Sequence, residues 1–136
     1  MTTTFSISTK GFTDIIDITD KVAEIASNAG FKNGLVNLFV ASSTAGITTI
    51  EYDNNLLIDF KAVLDEIAPY KHNWKHHQTW NDDNGGAHIR ATIIGPSLTI
   101  PIVNGQIHHG AWQKIVLIDF DTRARSRNIV TTIIPS

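Results

Sequence analysis

Bulky and small polar residues alternate from Thr3 to Ser8 through Phe5 and Ile7, and from Phe12 to Ile18 the chain is again β-branched and apolar. Period-two alternation marks strands, and Gly11 separates the two. Thr19 stands as an N-cap before a helix predicted over Asp20–Asn28. Asp20 suits the positive end of its dipole, Val22, Ile25 and Ala26 form one apolar stripe, and Gly30 is a stop. Within Gly34–Ala41, the run Leu35–Val40 reads as a buried strand, and Ile47–Tyr52 reads as its neighbour across Ser42–Gly46. A second helix is predicted over Asn55–Ile67, capped by Asn54. Leu56, Leu57, Phe60, Val63, Leu64 and Ile67 recur there at helical spacing until Pro69 ends it.

The stretch Pro69–Arg90 has neither periodicity and reads as one long ordered loop, because loops of that length inside a small domain are usually functional. After it, β-type segments are predicted over His88–Ile94, Ser97–Val103, around Ile107 and over Lys114–Phe120, with a last strand over Arg127–Ile134. Gly95-Pro96 and Asn104-Gly105 are turn signals, the second a hairpin signal because both residues accept positive φ. Many strands and two main helices without strict βαβ alternation predict an α+β fold, a largely antiparallel sheet or sandwich core in one domain over residues 1–136. That length is enough to bury a core without staples.

Composition narrows the chemistry. With no cysteine, any metal must be held by nitrogen and oxygen ligands, which points to imidazole and carboxylate. A formal charge of −2 without a basic block gives no footprint for nucleic acid or anionic lipid, and no apolar run is long enough to cross a membrane. With no basic and apolar leader at its start, a cytoplasmic location is expected.

Four of the six histidines fall in the Pro69–Arg90 stretch. His76 and His88 are the leading pair, because a loop can bring its own start and end together over one cavity, and His88 is predicted to open a strand that holds it rigidly. Either they form a site or each imidazole is an ordinary hydrogen-bonded residue. Asp82, Asp83 and Glu51 could complete a histidine and carboxylate site, although adjacent aspartates also solvate turns. Glu51, at the end of an apolar strand, is at the rim or in a site. Ser42, Ser43 and Thr44 offer hydroxyls for phosphate or make a simple turn. Arg123, Arg125 and Arg127 recur with period two. They gather guanidinium on one face for an anion, neutralise Asp119 and Asp121, or bridge subunits. Trp112-Gln113 pairs an aromatic plate with an amide that could orient a heterocycle, or Trp112 is core.

Taken in order, Ser43-Thr44-Ala45-Gly46-Ile47-Thr48-Thr49-Ile50-Glu51-Tyr52, Ala87-His88-Ile89-Arg90-Ala91, Gly95-Pro96-Ser97-Leu98-Thr99-Ile100-Pro101, Asn104-Gly105, Gly110-Ala111-Trp112-Gln113 and Asp121 with the arginines after it resemble the YjbQ-like family. This is also described as the secondary thiamine-phosphate synthase family. The resemblance covers nearly the whole chain and implies a compact α+β fold, a homotrimer with sites near subunit interfaces, and a phosphorylated small molecule as substrate. It implies catalytic roles for His88, Glu51 and Gln113. It further implies a divalent metal (zinc, manganese or magnesium) on His76 and His88, and substrate or phosphate binding by Ser42, Ser43, Thr44, Arg123, Arg125 and Trp112. Many members have histidine where this chain has Ser42, and His77 is the residue that could take its place as a ligand. The activity implied joins hydroxymethylpyrimidine diphosphate to thiazole phosphate. The alternatives are a metal- or metabolite-binding module without catalysis and a metal-assisted hydrolase.

Overall fold

The computed structural model describes residues 1–136. The elements are β1 (Thr2–Thr9), β2 (Asp14–Asp17), α1 (Thr19–Ala29), β3 (Gly34–Val40), β4 (Ala45–Ile50), α2 (Asn54–Ile67), α3 (Lys75–Trp80), α4 (Gly85–Ile94), β5 (Ser97–Val103), β6 (Gln106–Ile107), β7 (Lys114–Asp119) and β8 (Arg125–Pro135). All strand pairings are antiparallel. They build a five-stranded sheet in the order β1-β8-β3-β5-β6 and a three-stranded sheet in the order β2-β7-β4. The fold is thus α+β with antiparallel sheets, as the hydrophobic pattern predicts.

β7 explains the layering. Its Ile115 and Leu117 enter a core shared with α1 and the larger sheet, while Val116, Ile118 and the following Phe120 enter a second core with Leu64 of α2 and Ala87 and Ala91 of α4. A strand buried on both faces must be apolar at every step, which is why Ile115–Ile118 shows no alternation. β3 differs from its reading as a buried strand. It covers the core with Val36, Leu38 and Val40 but turns Leu35 and Phe39 outward, both more than two-fifths exposed. The outer face of the large sheet is therefore uncovered, with Val103 and Ile134 also exposed on it.

The structure corrects several local expectations. His88–Ile94 is helix, not strand. The β-branched residues there suggest extended chain, but small residues decide: the buried Ala87 and Ala91 let α4 lie close over β4, and Gly85 and Gly86 leave room for Trp74 and the Pro69 carbonyl. A Cβ at Gly46 of β4 would come within 2.9 Å of both the Gly95 carbonyl oxygen and an Ile94 methyl carbon. The second β-segment is confined to Asp14–Asp17, because Phe12 and Thr13 take left-handed φ of 53° and 64°. Asp53, not Asn54, caps α2, accepting from Leu56 N at 3.0 Å. Thr19 is the first residue of α1 and caps nothing. Its hydroxyl donates to Asp17 at 2.6 Å and accepts from Ile115 N at 2.8 Å. At the β5–β6 hairpin, Asn104 and Gly105 both have positive φ, as their pairing predicts.

Candidate functional site

The Pro69–Arg90 stretch contains α3 and the start of α4, and the two helices bring His76 and His88 together with ring centroids 4.5 Å apart. His88 lies in the first turn of α4, and its orientation is set from the other side of that helix. Arg90, two residues on and so about 200° around the axis, is 1% exposed and fully engaged. Its guanidinium donates to the Ala68 carbonyl (2.8 Å), the Thr13 hydroxyl (2.9 Å) and Asp65 (2.8 Å), and lies 4.1 Å from the centre of the Tyr70 ring. Tyr70 OH donates to the Phe120 carbonyl at 2.8 Å, and its burial outweighs the Thr13 contact and the charge of Arg90 to raise its pKa. This anchor ties α4 to the end of α2 and to the strained Phe12-Thr13 turn, fixing the roll of the helix that carries His88.

His88 lines a cleft of about 210 Å³ with Ser42, Ser43, Ala45, Ala91, Thr92 and Pro96. Desolvation by the cleft lowers its pKa below the ordinary 6.5 and the charge of His76 lowers it further, against the opposing pull of Asp121, Asp82 and the Ser43 backbone. The imidazole is thereby kept neutral. Nδ1 of His76 is buried and makes no hydrogen bond, although Asp82 Oδ1 lies 3.0 Å away.

Beneath the histidines lies a network of buried charge. Asp119 accepts from Thr9 at 2.6 Å and from two nitrogens of Arg127 at 2.7 and 3.1 Å. Asp121 accepts from Thr122 N at 2.7 Å, from Thr44 at 3.2 Å and from Arg125 at 3.1 Å. Burial pushes the Asp121 carboxyl up, but these donors together with Asn84 outweigh it and hold the group below the usual carboxylate range. Asn84 sits between two acids: its amide nitrogen reaches Asp121 at 3.4 Å or, with the amide turned over, Asp82 at 3.1 and 3.2 Å.

Against the sequence reading, the structure separates what the resemblance groups. Ala45 pairs with Asp119 and Ile50 with Lys114, so the His88 cleft lies at one end of β4 and Glu51, Trp112 and Gln113 at the other. A six-residue strand spans roughly 17 Å, so Glu51 and Gln113 do not act on the same atom as His88 within one copy. Gln113 Oε1 is used locally, accepting from Gly110 N at 2.7 Å. Trp112 is not core; it is 75% exposed. His77 is turned away from His88, with its Nε2 accepting from Gly85 N at 3.0 Å and its ring centre 6.4 Å from that of His76. Nor do three His, Asp or Glu side chains converge as a metal centre requires.

Ser42 and Ser43 line the cleft, whereas Thr44 is buried and accepts from Arg127 at 2.7 Å. Arg125 and Arg127 do share a face, but it is turned to Asp121 and Asp119, the neutralising reading. Arg123 lies before β8 and reaches Asp83 at 3.8 Å. Sequence reasoning missed Asn84 and the anchoring role of Arg90. The available signal was Asn84-Gly85-Gly86-Ala87, a polar residue before small ones, which suits a helix start as well as a loop.

No helix is long and apolar enough to cross a membrane. The family model described as "UPF0047 protein YjbQ-like" matches residues 3–136. A UPF0047 protein of Methanothermobacter thermautotrophicus is 33% identical over 108 residues, covering 79% of this chain and 74% of the relative. The UPF0047 protein YugU of Bacillus subtilis is 30% identical over 122 residues, covering 89% and 90%. A YbjQ-like protein of unknown function from Sulfolobus solfataricus P2 superimposes with a TM-score of 0.90 at 32% identity, covering 100% of this chain and 99% of that one. A hypothetical protein from Aeropyrum pernix K1 gives 0.92, also at 32% identity and with coverage of 100% and 99%. From its second strand-forming residue to its end, the chain belongs to the UPF0047 YjbQ-like family.

Proposed function

We propose that this protein is an enzyme performing acid–base chemistry on a small phosphorylated molecule, with His88 as the proton-accepting group. One observation carries the reading: an imidazole kept neutral by desolvation and by a second histidine, facing a cleft edged by the hydroxyls of Ser42 and Ser43. A neutral ring has the free lone pair that a base needs at physiological pH. Ser42 and Ser43 would donate to phosphate oxygens, and the half-exposed Arg125, with Arg123 two residues before it, would be the cationic cover for a departing anion. Arg127 is committed to Asp119 and contributes by holding the floor of the site.

The finer reading, from the family resemblance, is formation of thiamine phosphate. The thiazole nitrogen of one substrate would attack the methylene carbon of hydroxymethylpyrimidine diphosphate as the bond from that carbon to the pyrophosphate oxygen breaks; the nucleophile loses no proton, so His88 would take one from the pyrimidine's amino group as that ring becomes cationic and return it to the product. Assembly as a homotrimer is part of the same reading, supported by the uncovered outer face of the large sheet.

The test is product formation from those two phosphates and from a panel of other phosphorylated small molecules, comparing wild type with His88→Gln. Turnover that falls in the variant while its unfolding transition stays cooperative supports the proposal. Equal turnover in both proteins, or none with any substrate, contradicts it.

A second reading, a divalent-cation or metabolite-binding module, is favoured by the buried, unpartnered Nδ1 of His76. His76, His88 and Asp82 are the donors at hand, but the three do not converge on one point, and His77 is engaged with Gly85 N. Elemental analysis of untagged wild type, His76→Ala and His88→Ala decides it: stoichiometric metal lost in both variants supports this reading.

A further inference from the structure

We propose that the cleft between Tyr52 and Trp112, at the far end of β4 from His88, is a binding site for a flat organic cation, an amidinium or a protonated aminoheterocycle. This is the largest cleft in the molecule, about 390 Å³, and is lined by Glu51, Tyr52, Asp53, Ala111, Trp112 and Lys114. The β4–β7 pairing ends at Ile50 and Lys114, and the segments just beyond it bring Tyr52 and Trp112 to the same cleft as Glu51.

The walls are pinned, but the carboxylate is not. Trp112 rides on a turn closed twice, by Gln113 N to the Gly110 carbonyl at 2.9 Å and by Gly110 N to Gln113 Oε1 at 2.7 Å. Tyr52 is fixed through its hydroxyl, which donates to the Ile15 carbonyl at 2.7 Å. Asp53 is fixed by capping α2. Glu51 makes no ion pair within 4 Å, and neither does Lys114. Two carboxylates against one ammonium leave the cleft net negative.

Three-quarters exposure of a tryptophan held on a clamped turn is unfavourable in water, and a plate already ordered loses little freedom when a ring stacks on it. Cation–π attraction on Trp112 and charge pairing with Glu51 select the same ligand, planar and positive. Gln113 acts here as the clamp that presents Trp112 and not as a group that touches the ligand.

The proposal does not rest on turnover at His88, so the two fail separately. Benzamidine is the probe, and benzamide is its neutral match in shape. Calorimetric titration of the full chain should show benzamidine binding about tenfold or more tighter than benzamide. Trp112→Ala should remove binding of both, Glu51→Gln should bring benzamidine down to the level of benzamide, and His88→Gln should change neither. Equal affinity for the two probes, or binding by neither at millimolar concentration, overturns the proposal. So does a Trp112→Ala variant whose mass in solution drops, because that would make Trp112 an anchor between copies of the chain.

Discussion

At the Ala45 end of β4, Asp119 and Asp121 are buried and each of their four oxygens has a donor. At the Ile50 end, Glu51 and Lys114 stand in an open cleft with no ion pair. Burial raises the electrostatic stakes, so charges are tolerated inside only when fully partnered, and such charges hold shape. Groups that face open space with few or no bonds, His88 in its cleft and Glu51 beside Trp112, are the ones free to meet something from outside. The resemblance mixes both kinds: Arg127 and Thr44 belong to the framework, whereas His88 and Trp112 face solvent-filled clefts.

The sharpest way to break that contrast is Asp119→Ala. It removes the carboxylate that Arg127 donates to twice, leaving the guanidinium only Thr44 and, at 3.6 Å, Asp121, and should cost about 3 kcal/mol, read as a lower urea midpoint; a loss under about 1 kcal/mol would mean the network is not structural. His88→Gln should do the reverse, lowering turnover by about 10²–10⁴ with little change in midpoint. It should also flatten a pH effect. A lowered folded pKa means the native state binds fewer protons than the unfolded chain below 6.5, so wild-type stability rises with pH from the lowered value up to 6.5. The acid limb of turnover should fall in the same window.

At the open end the effects shrink. Asp53→Ala removes the α2 cap and should cost about 1 kcal/mol, measured by the same denaturation. Trp112→Ala should leave stability within about 0.5 kcal/mol, because so little of the ring is buried. A large loss there would place Trp112 in the framework instead.

Most strands, both long helices and the Asn104-Gly105 hairpin were legible in the sequence, because alternation, helical stripes and turn residues are local signals. The meeting of His76 and His88 was also legible, as two ends of one stretch closing on each other. α4 was not. Its Ile89, Thr92, Ile93 and Ile94 favour extended chain taken alone, and only the space that Gly46 leaves against Ile94 and Gly95 makes a helix the better packing. The distance between His88 and Glu51 was equally hidden, since it depends on which strand end faces which loop. The choice between the two readings of the arginines depended on register: in β8 Arg127 falls beside Asp119, a long-range pairing that no local pattern encodes.

The charge state of His88 decides whether its cleft holds a neutral base, and an NMR titration of its imidazole ring protons measures it. A midpoint below 6.5 that moves up in His76→Gln is the predicted result, because the neighbouring charge is then gone. A midpoint at or above 6.5 in the wild type would contradict a neutral base in that cleft.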